Sequence, residues 1–282
     1  MAELIHGYAH VNGIRLHYVS AGNGELILFL HGFPEFWYAW KHQLNEFGKD
    51  HRAVAVDMRG YNLSDKPSEL GAYRIETLIE DINALARQLS PDAKFILVGH
   101  DWGGYVAWHF ASVHPEALRK LIIINAPHPT IFARLLEFDP AQQKASEYFK
   151  FFRSAEAEET LSADGFAILS KIMGFGQKNG APLEDKPEYM RAWSQSGAIT
   201  GGLNYYRANK LESISADGGA VMVSVPTLVI WGVNDPAMVP QNLTGLENYV
   251  PHLTIQQISG ASHWLAHTHS AEINRHIRSY LA

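Results

Sequence analysis

Short runs of branched aliphatic residues recur through the first half of the chain, at ELILFL (25–30), RAVAVDM (52–58), KFILVG (94–99) and KLIIIN (120–125), with helical patterns between them. Runs this short and this uniformly apolar are what a strand buried on both faces requires. Their alternation with helices dictates a mostly parallel sheet joined by crossover connections. Between the second and third runs, Ile75, Leu78, Ile79, Ile82, Leu85, Ala86 and Leu89 fall at i, i+3, i+4 and i+7, the apolar stripe of a helix lying on a sheet, and Ser90-Pro91-Asp92 ends it. IRLHYVS (14–20) alternates instead, which predicts an antiparallel opening strand or hairpin. After Pro127 and Pro129 the pattern changes: residues 130–215 read as helices and loops rich in aromatics, with no convincing strand. Strands return at PTLVIWG (226–232) and LTIQQIS (253–259), and SAEINRHIRSYL (270–281) closes as a helix. The expected architecture is an α/β core of residues 1–129 and 216–282, with a helical cap of residues 130–215 inserted into it.

Composition narrows the function. Hydrophobic residues make up 46% of the chain against 18% charged, enough for a sizeable core and far from a disordered composition. A formal net charge of −6 argues against nucleic acid or an anionic membrane as partner. The absence of cysteine excludes disulfides, thiolate metal sites and a cysteine nucleophile. His263, His267 and His269 lie close together, but a polar helix start accounts for them more simply than a metal site, so no metal and no cofactor are expected. The N-terminus lacks a basic stretch followed by an apolar one, and no run approaches the ~18 apolar residues of a membrane span; a soluble, cytoplasmic protein is the expectation.

The chemistry concentrates in Gly99-His100-Asp101-Trp102-Gly103, directly after the strand KFILVG and before the helical run YVAWHFASV. At a strand-to-helix turn, G-x-x-x-G with a reactive central residue is a nucleophile elbow: the glycines permit the sharp bend and the central side chain stands out at the sheet's carboxyl edge. By itself the motif could be an aspartate capping a helix. Its weight comes from position. His31-Gly32-Phe33-Pro34 follows the strand ELILFL, where a loop donates a backbone N–H to an oxyanion hole, and the residue after the nucleophile donates the second; these are the Phe33 and Trp102 amides. Asp235 in WGVNDP and His263 in GASHW complete the chain order nucleophile, acid, histidine.

With these segments, HGFPEFWYAW (31–40), DMRGYNLSDKP (57–67), GHDWGG (99–104), NAPHP (125–129), TGGLNYYRAN (200–209), WGVNDP (231–236) and GASHW (260–264), the chain resembles the soluble epoxide hydrolases of the α/β-hydrolase superfamily over nearly its whole length. The resemblance implies that Asp101 attacks an epoxide carbon to form an alkyl ester, which water activated by His263 and Asp235 then hydrolyses. It further implies that two cap tyrosines hydrogen-bond the epoxide oxygen, placing Tyr148 at the first position and Tyr206 at the second, with Tyr205 as the alternative if the register slips by one. His31, Pro34, Trp40, Tyr205 and Trp264, with Phe33 and Trp102, are expected around the substrate pocket. The implied partners are a small hydrophobic epoxide and water, and a homodimer is left open.

Haloalkane dehalogenases share the Asp-His-Asp arrangement, but commonly carry an asparagine after the His-Gly of the oxyanion loop, where this chain has Phe33. Fluoroacetate dehalogenases clamp a carboxylate with arginines one and four positions after the nucleophile; here these are Trp102 and Tyr105. Esterases and lipases expect serine at the elbow. A non-catalytic member of the fold that binds a small ligand would tolerate a damaged site, and none of the expected groups is missing. Aromatic, terminal alkyl and fatty-acid epoxides are equally compatible with the sequence, and the conformation of residues 172–190 is not legible from it.

Overall fold

A single eight-stranded sheet organises the computed structural model, which describes residues 3–212 and 219–282. Its strands are β1 (Ile5–Val11), β2 (Ile14–Ala21), β3 (Leu26–Leu30), β4 (Arg52–Val56), β5 (Phe95–His100), β6 (Leu118–Ile124), β7 (Thr227–Gly232) and β8 (Leu253–Ile258), in the order β1-β2-β4-β3-β5-β6-β7-β8. β1 and β2 form an antiparallel hairpin, β2 runs antiparallel to β4, and every other pair is parallel. Along β2 only Arg15 is exposed, Tyr18 and Ser20 are half-buried and the other residues are buried, whereas β3, β5 and β7 are buried at every residue.

The helices among the described residues are α1 (Lys41–Phe47), α2 (Ile75–Leu89), α3 (Trp102–Val113), α4 (Pro129–Phe138), α5 (Pro140–Ala145), α6 (Tyr148–Arg153), α7 (Ala157–Met173), α8 (Lys186–Trp193), α9 (Ala198–Ala208), α10 (Leu265–Thr268) and α11 (Ser270–Leu281). α7 is interrupted by non-helical backbone from Ala163 to Phe166. Strand residues alternate between two cores. Ile27, Phe29, Ile96 and Val98 pack with Leu44 and Phe47 of α1 and Ile273 and Ile277 of α11; Leu28, Leu30 and Leu97 pack on the other face with α2 and α3. The stripe on α2 buries Leu78, Ile79, Ile82, Leu85 and Leu89, each such side chain contributing about 1.5–3 kcal/mol.

Between β6 and β7 the described residues form helices and no strand, as the sequence predicts; the expected 215/216 boundary lies outside the described residues. Aromatic side chains of this insertion, among them Phe149, Phe152 and Tyr206, join the same core cluster as Phe33 and Trp102, which seats the insertion over the carboxyl edge of the sheet. Residues 172–190 resolve into a turn closed by the Ala181 N–H donating to the Met173 carbonyl, 2.9 Å away, followed by α8. Among the described residues no helix is long and apolar enough to cross a membrane.

Candidate active site

Register decides which residues can meet. Leu30 pairs with Val56 and Gly99, His100 with Ile124, Ile124 with Ile230, and Gly232 with Ile258, so β3, β5, β6, β7 and β8 end side by side. The loops that leave them carry Phe33, Asp101, Asn125, Asp235 and His263 to one rim. Asp101 sits at φ 51°, ψ −122°, a conformation that non-glycine residues rarely hold. The bend depends on small neighbours: a Cβ on Gly103 would lie 2.3 Å from the Leu30 carbonyl oxygen, and one on Gly99 2.5 Å from that of Gly103. The strained turn aims the Asp101 carboxylate back across β3, where the Phe33 N–H donates to its Oδ1 at 2.8 Å. The Trp102 N–H opens α3, where the first turn's donors have no partner within the helix and the helix dipole favours negative charge.

Asp235 and His263 form the second half. His263 Nδ1 lies 2.7 Å from Asp235 Oδ2, and its Nε2 lies 3.6 Å from Asp101 Oδ2. Asp235 is held by the Ala237 and Met238 amides on Oδ1 and by Asn125 Nδ2 on Oδ2, at 2.8, 3.1 and 2.6 Å. Asn125 in turn accepts from the Gly232 N–H at 2.6 Å. Within NAPHP nothing in the residue order signals this role for Asn125; its positive φ of 38° at the end of β6 is visible only in three dimensions. Burial opposes ionisation of Asp101, but the hydrogen bond from His263, the charges of His263 and His100 and the Phe33 amide outweigh it and lower its pKa. Burial likewise disfavours the charged imidazole of His263, yet Asp235 and Asp101 together raise it well above its ordinary value.

Asp101 and His263 open into a cavity of about 370 Å³, within the range of small-molecule sites. Tyr148, Tyr206, Phe33 and Trp264 line it with aliphatic and aromatic groups from α6 and α7. Both tyrosines are pushed well above 10 by burial first and by the charge of Asp101 next, so they stay protonated donors. Trp102 flanks the pair, its ring 5.1 Å from that of Tyr206. Four pocket expectations meet a different arrangement. Trp40 is wholly buried on the opposite face of the sheet, its ring 5.2 Å from Phe29, because the loop after β3 turns it beneath the strands. Tyr205 points the other way from its neighbour on α9, as adjacent helical residues must, and donates its hydroxyl to the Arg59 carbonyl at 2.8 Å. His31 is fully buried and accepts from the Met58 N–H at 3.1 Å, holding the loop after β3 rather than lining the cavity. Pro34 borders a separate small void beside Trp193.

The three C-terminal histidines diverge. His263 joins Asp235 and Asp101, His269 contacts the Thr268 hydroxyl, and His267 is buried against Glu35, 2.8 Å from its Oε1. Among the described residues no group of three or more His, Asp or Glu is placed to hold a metal ion.

Glu35 is a buried hub that the sequence did not reveal. Its Oε2 meets His100 Nδ1 at 2.9 Å, and the other nitrogen of His100 meets the His263 carbonyl at 2.9 Å. Burial would raise the Glu35 carboxyl, but His100 and His267 overcome it and hold it well below the ordinary range. Through the His100 ring the peptide of His263 is tied to the residue preceding Asp101. Glu35→Gln should lower stability near neutral pH by about 1–3 kcal/mol, since it leaves buried donors mismatched. A carboxyl lowered by folding contributes above its ordinary value near 4.5 and loses that contribution as pH falls toward the folded value. The stability gap between wild type and variant in denaturant titrations should therefore narrow below about pH 4.5. A gap that is constant with pH contradicts the ionised assignment.

Comparison with known proteins places this geometry in a lineage. The α/β hydrolase fold family matches residues 25–270. An AB hydrolase superfamily protein of Bacillus subtilis, YfhM, is 40% identical over 97% of this chain and 96% of its own length. Epoxide hydrolase 4 of Homo sapiens is 39% identical over 98% of this chain and 78% of its own. Among solved structures, an epoxide hydrolase from Bacillus megaterium in complex with an inhibitor superposes with a TM-score of 0.91 at 39% identity, covering 98% of this chain and 99% of that one. With near-full-length similarity in both sequence and structure, the chain belongs to the epoxide hydrolase family of the α/β-hydrolase superfamily.

Proposed function

We propose that the protein hydrolyses epoxides to vicinal diols through a covalent ester on Asp101, with residues 130–215 acting as the cap over the site. The observation that carries this reading is the position of the Asp101 carboxylate, fixed by the Phe33 amide, 3.6 Å from His263 and on the wall of a cavity shared with Tyr148 and Tyr206. A carboxylate needs no base to attack an sp³ carbon. One Asp101 oxygen bonds to a ring carbon, the carbon–oxygen bond breaks, and the departing alkoxide takes a proton from a cap tyrosine. Esterification removes the charge of Asp101, and with it part of the cause that holds His263 protonated. The proton His263 then releases balances the one lost by the tyrosine, leaving a neutral imidazole. That imidazole takes a proton from water, the hydroxide adds to the Asp101 carboxyl carbon, and the Phe33 and Trp102 amides receive the oxyanion. Collapse expels the diol's alkoxide, which His263 protonates, and the carboxyl proton left on Asp101 passes to His263, restoring the carboxylate and the resting imidazolium.

A single turnover in ¹⁸O-water, with enzyme in excess, tests the covalent route. The new hydroxyl oxygen of the diol comes from Asp101, so the first-turnover diol should be mostly unlabelled and the peptide containing residues 99–104 should gain ¹⁸O. Direct attack by a His263-activated water gives labelled diol and unlabelled peptide, which would overturn the ester.

A further inference from the structure

Asp101, Tyr148 and Tyr206 border two cavities of very different size. Besides the one of about 370 Å³, a second of about 20 Å³ is bordered by residues that include Trp102, Tyr105, Phe132, Phe149, Leu211 and Met238. Those three residues are the only described residues that the two walls share. The smaller void holds about one water, given the 10–15 Å³ that a water centre needs. Its walls are packed: Met238 is 4% and Leu211 5% exposed. The larger cavity is apolar apart from the reacting groups, bounded by Phe151, Phe152, Ile168, Ile172 and Trp264, and no lysine or arginine is among its described lining residues.

This asymmetry bears on what an oxirane can carry once its oxygen faces the tyrosine pair and one carbon faces Asp101. A substituent on one ring carbon has room among the aromatic and aliphatic walls. A substituent on the other must enter a space about the size of a water. An anionic substituent would find no lysine or arginine in the wall and would lie near the negative Asp101 carboxylate. Resting on the proposed epoxide hydrolysis, the geometry points to terminal oxiranes bearing one bulky, uncharged apolar group as the substrate class, with the Leu211–Met238 wall excluding epoxides that carry a bulky group on each carbon.

The test compares styrene oxide with trans-stilbene oxide, which adds one phenyl group at the second carbon. A single methylene too many in an apolar pocket costs about 10–200-fold, so kcat/KM should favour styrene oxide by at least about 50-fold. A Leu211→Ala, Met238→Ala double variant should bring the ratio about tenfold closer to one, because truncation adds room on the narrow side alone. Comparable kcat/KM for the two epoxides in the wild type would overturn the inference, as would a double variant that folds and leaves the ratio unchanged. Binding of the product diols to the wild type, read by tryptophan fluorescence, separates size selection from chemistry. 1-Phenyl-1,2-ethanediol should bind and hydrobenzoin should not. If neither epoxide is hydrolysed yet this binding preference holds, the proposed reaction fails and the shape selection stands; equal binding of the two diols overturns the shape selection.

Discussion

Replacing His263 with glutamine is expected to lower steady-state epoxide turnover by about 10⁴-fold while leaving the first half-reaction running. The variant keeps Asp101, the Phe33 amide and both tyrosines, so the ester forms, but no group remains to take the proton of the attacking water. Intact-protein mass spectrometry after addition of styrene oxide should show a stoichiometric adduct of the substrate's mass, mapped to residues 99–104. Normal turnover would dismiss His263 as the base; loss of turnover without adduct would count against Asp101 as the nucleophile. The wild type adds a pH test. In the resting enzyme two carboxylates, Asp235 and Asp101, hold His263 well above its ordinary value; in the ester only Asp235 retains its charge. The apparent pKa governing ester hydrolysis should therefore lie below the value NMR titration gives for resting His263, with hydrolysis slowing as pH falls through it. Coincident values would mean that the Asp101 charge does not control the base.

Removing the Tyr148 and Tyr206 hydroxyls together, with Tyr148→Phe and Tyr206→Phe, should cost about 10²–10⁴-fold in epoxide turnover, because on the proposed mechanism the alkoxide would then leave unprotonated among apolar walls. Either single substitution should cost far less, about tenfold, since two donors aimed at one oxygen are partly redundant. The expected loss is kinetic: the rings remain, and with them the packing of Tyr206 against Phe33 and Phe152 at 5.7 and 5.0 Å. Tyr205→Phe is the control. It removes a hydroxyl that donates to the Arg59 carbonyl, so it should lower stability by about 1 kcal/mol and leave the double-mutant defect unreproduced. Near-normal turnover in the Tyr148, Tyr206 double variant would remove the acid from the mechanism, and a defect in Tyr205→Phe matching it would shift that role to the neighbour.

Much of this was legible in the chain because it is local. Helix α2 runs Ile75–Leu89 as its stripe predicts, and β3, β5, β7 and β8 fall within a residue or two of their aliphatic runs, since period and burial are written directly into residue order. The sharp strand-to-helix turn at Asp101 was legible for the same reason: two glycines around it at the end of an apolar strand leave the backbone few alternatives. The sequence could also order Asp101, Asp235 and His263 along the chain, but their meeting at one rim comes from the parallel register. What only the tertiary structure decided are directions and distant partners. Tyr205 and Tyr206 are one residue apart, and the docking of α9 alone determines which hydroxyl reaches the cavity. Trp40 reads as a pocket aromatic until the loop after β3 carries it under the sheet. Glu35, His100 and His267 are ordinary polar letters in sequence, and separations of 65 and 232 residues conceal that one carboxylate serves both histidines. A buried charge needs partners whose positions the whole fold supplies, so neither its state nor its role can be computed from its neighbours in the chain.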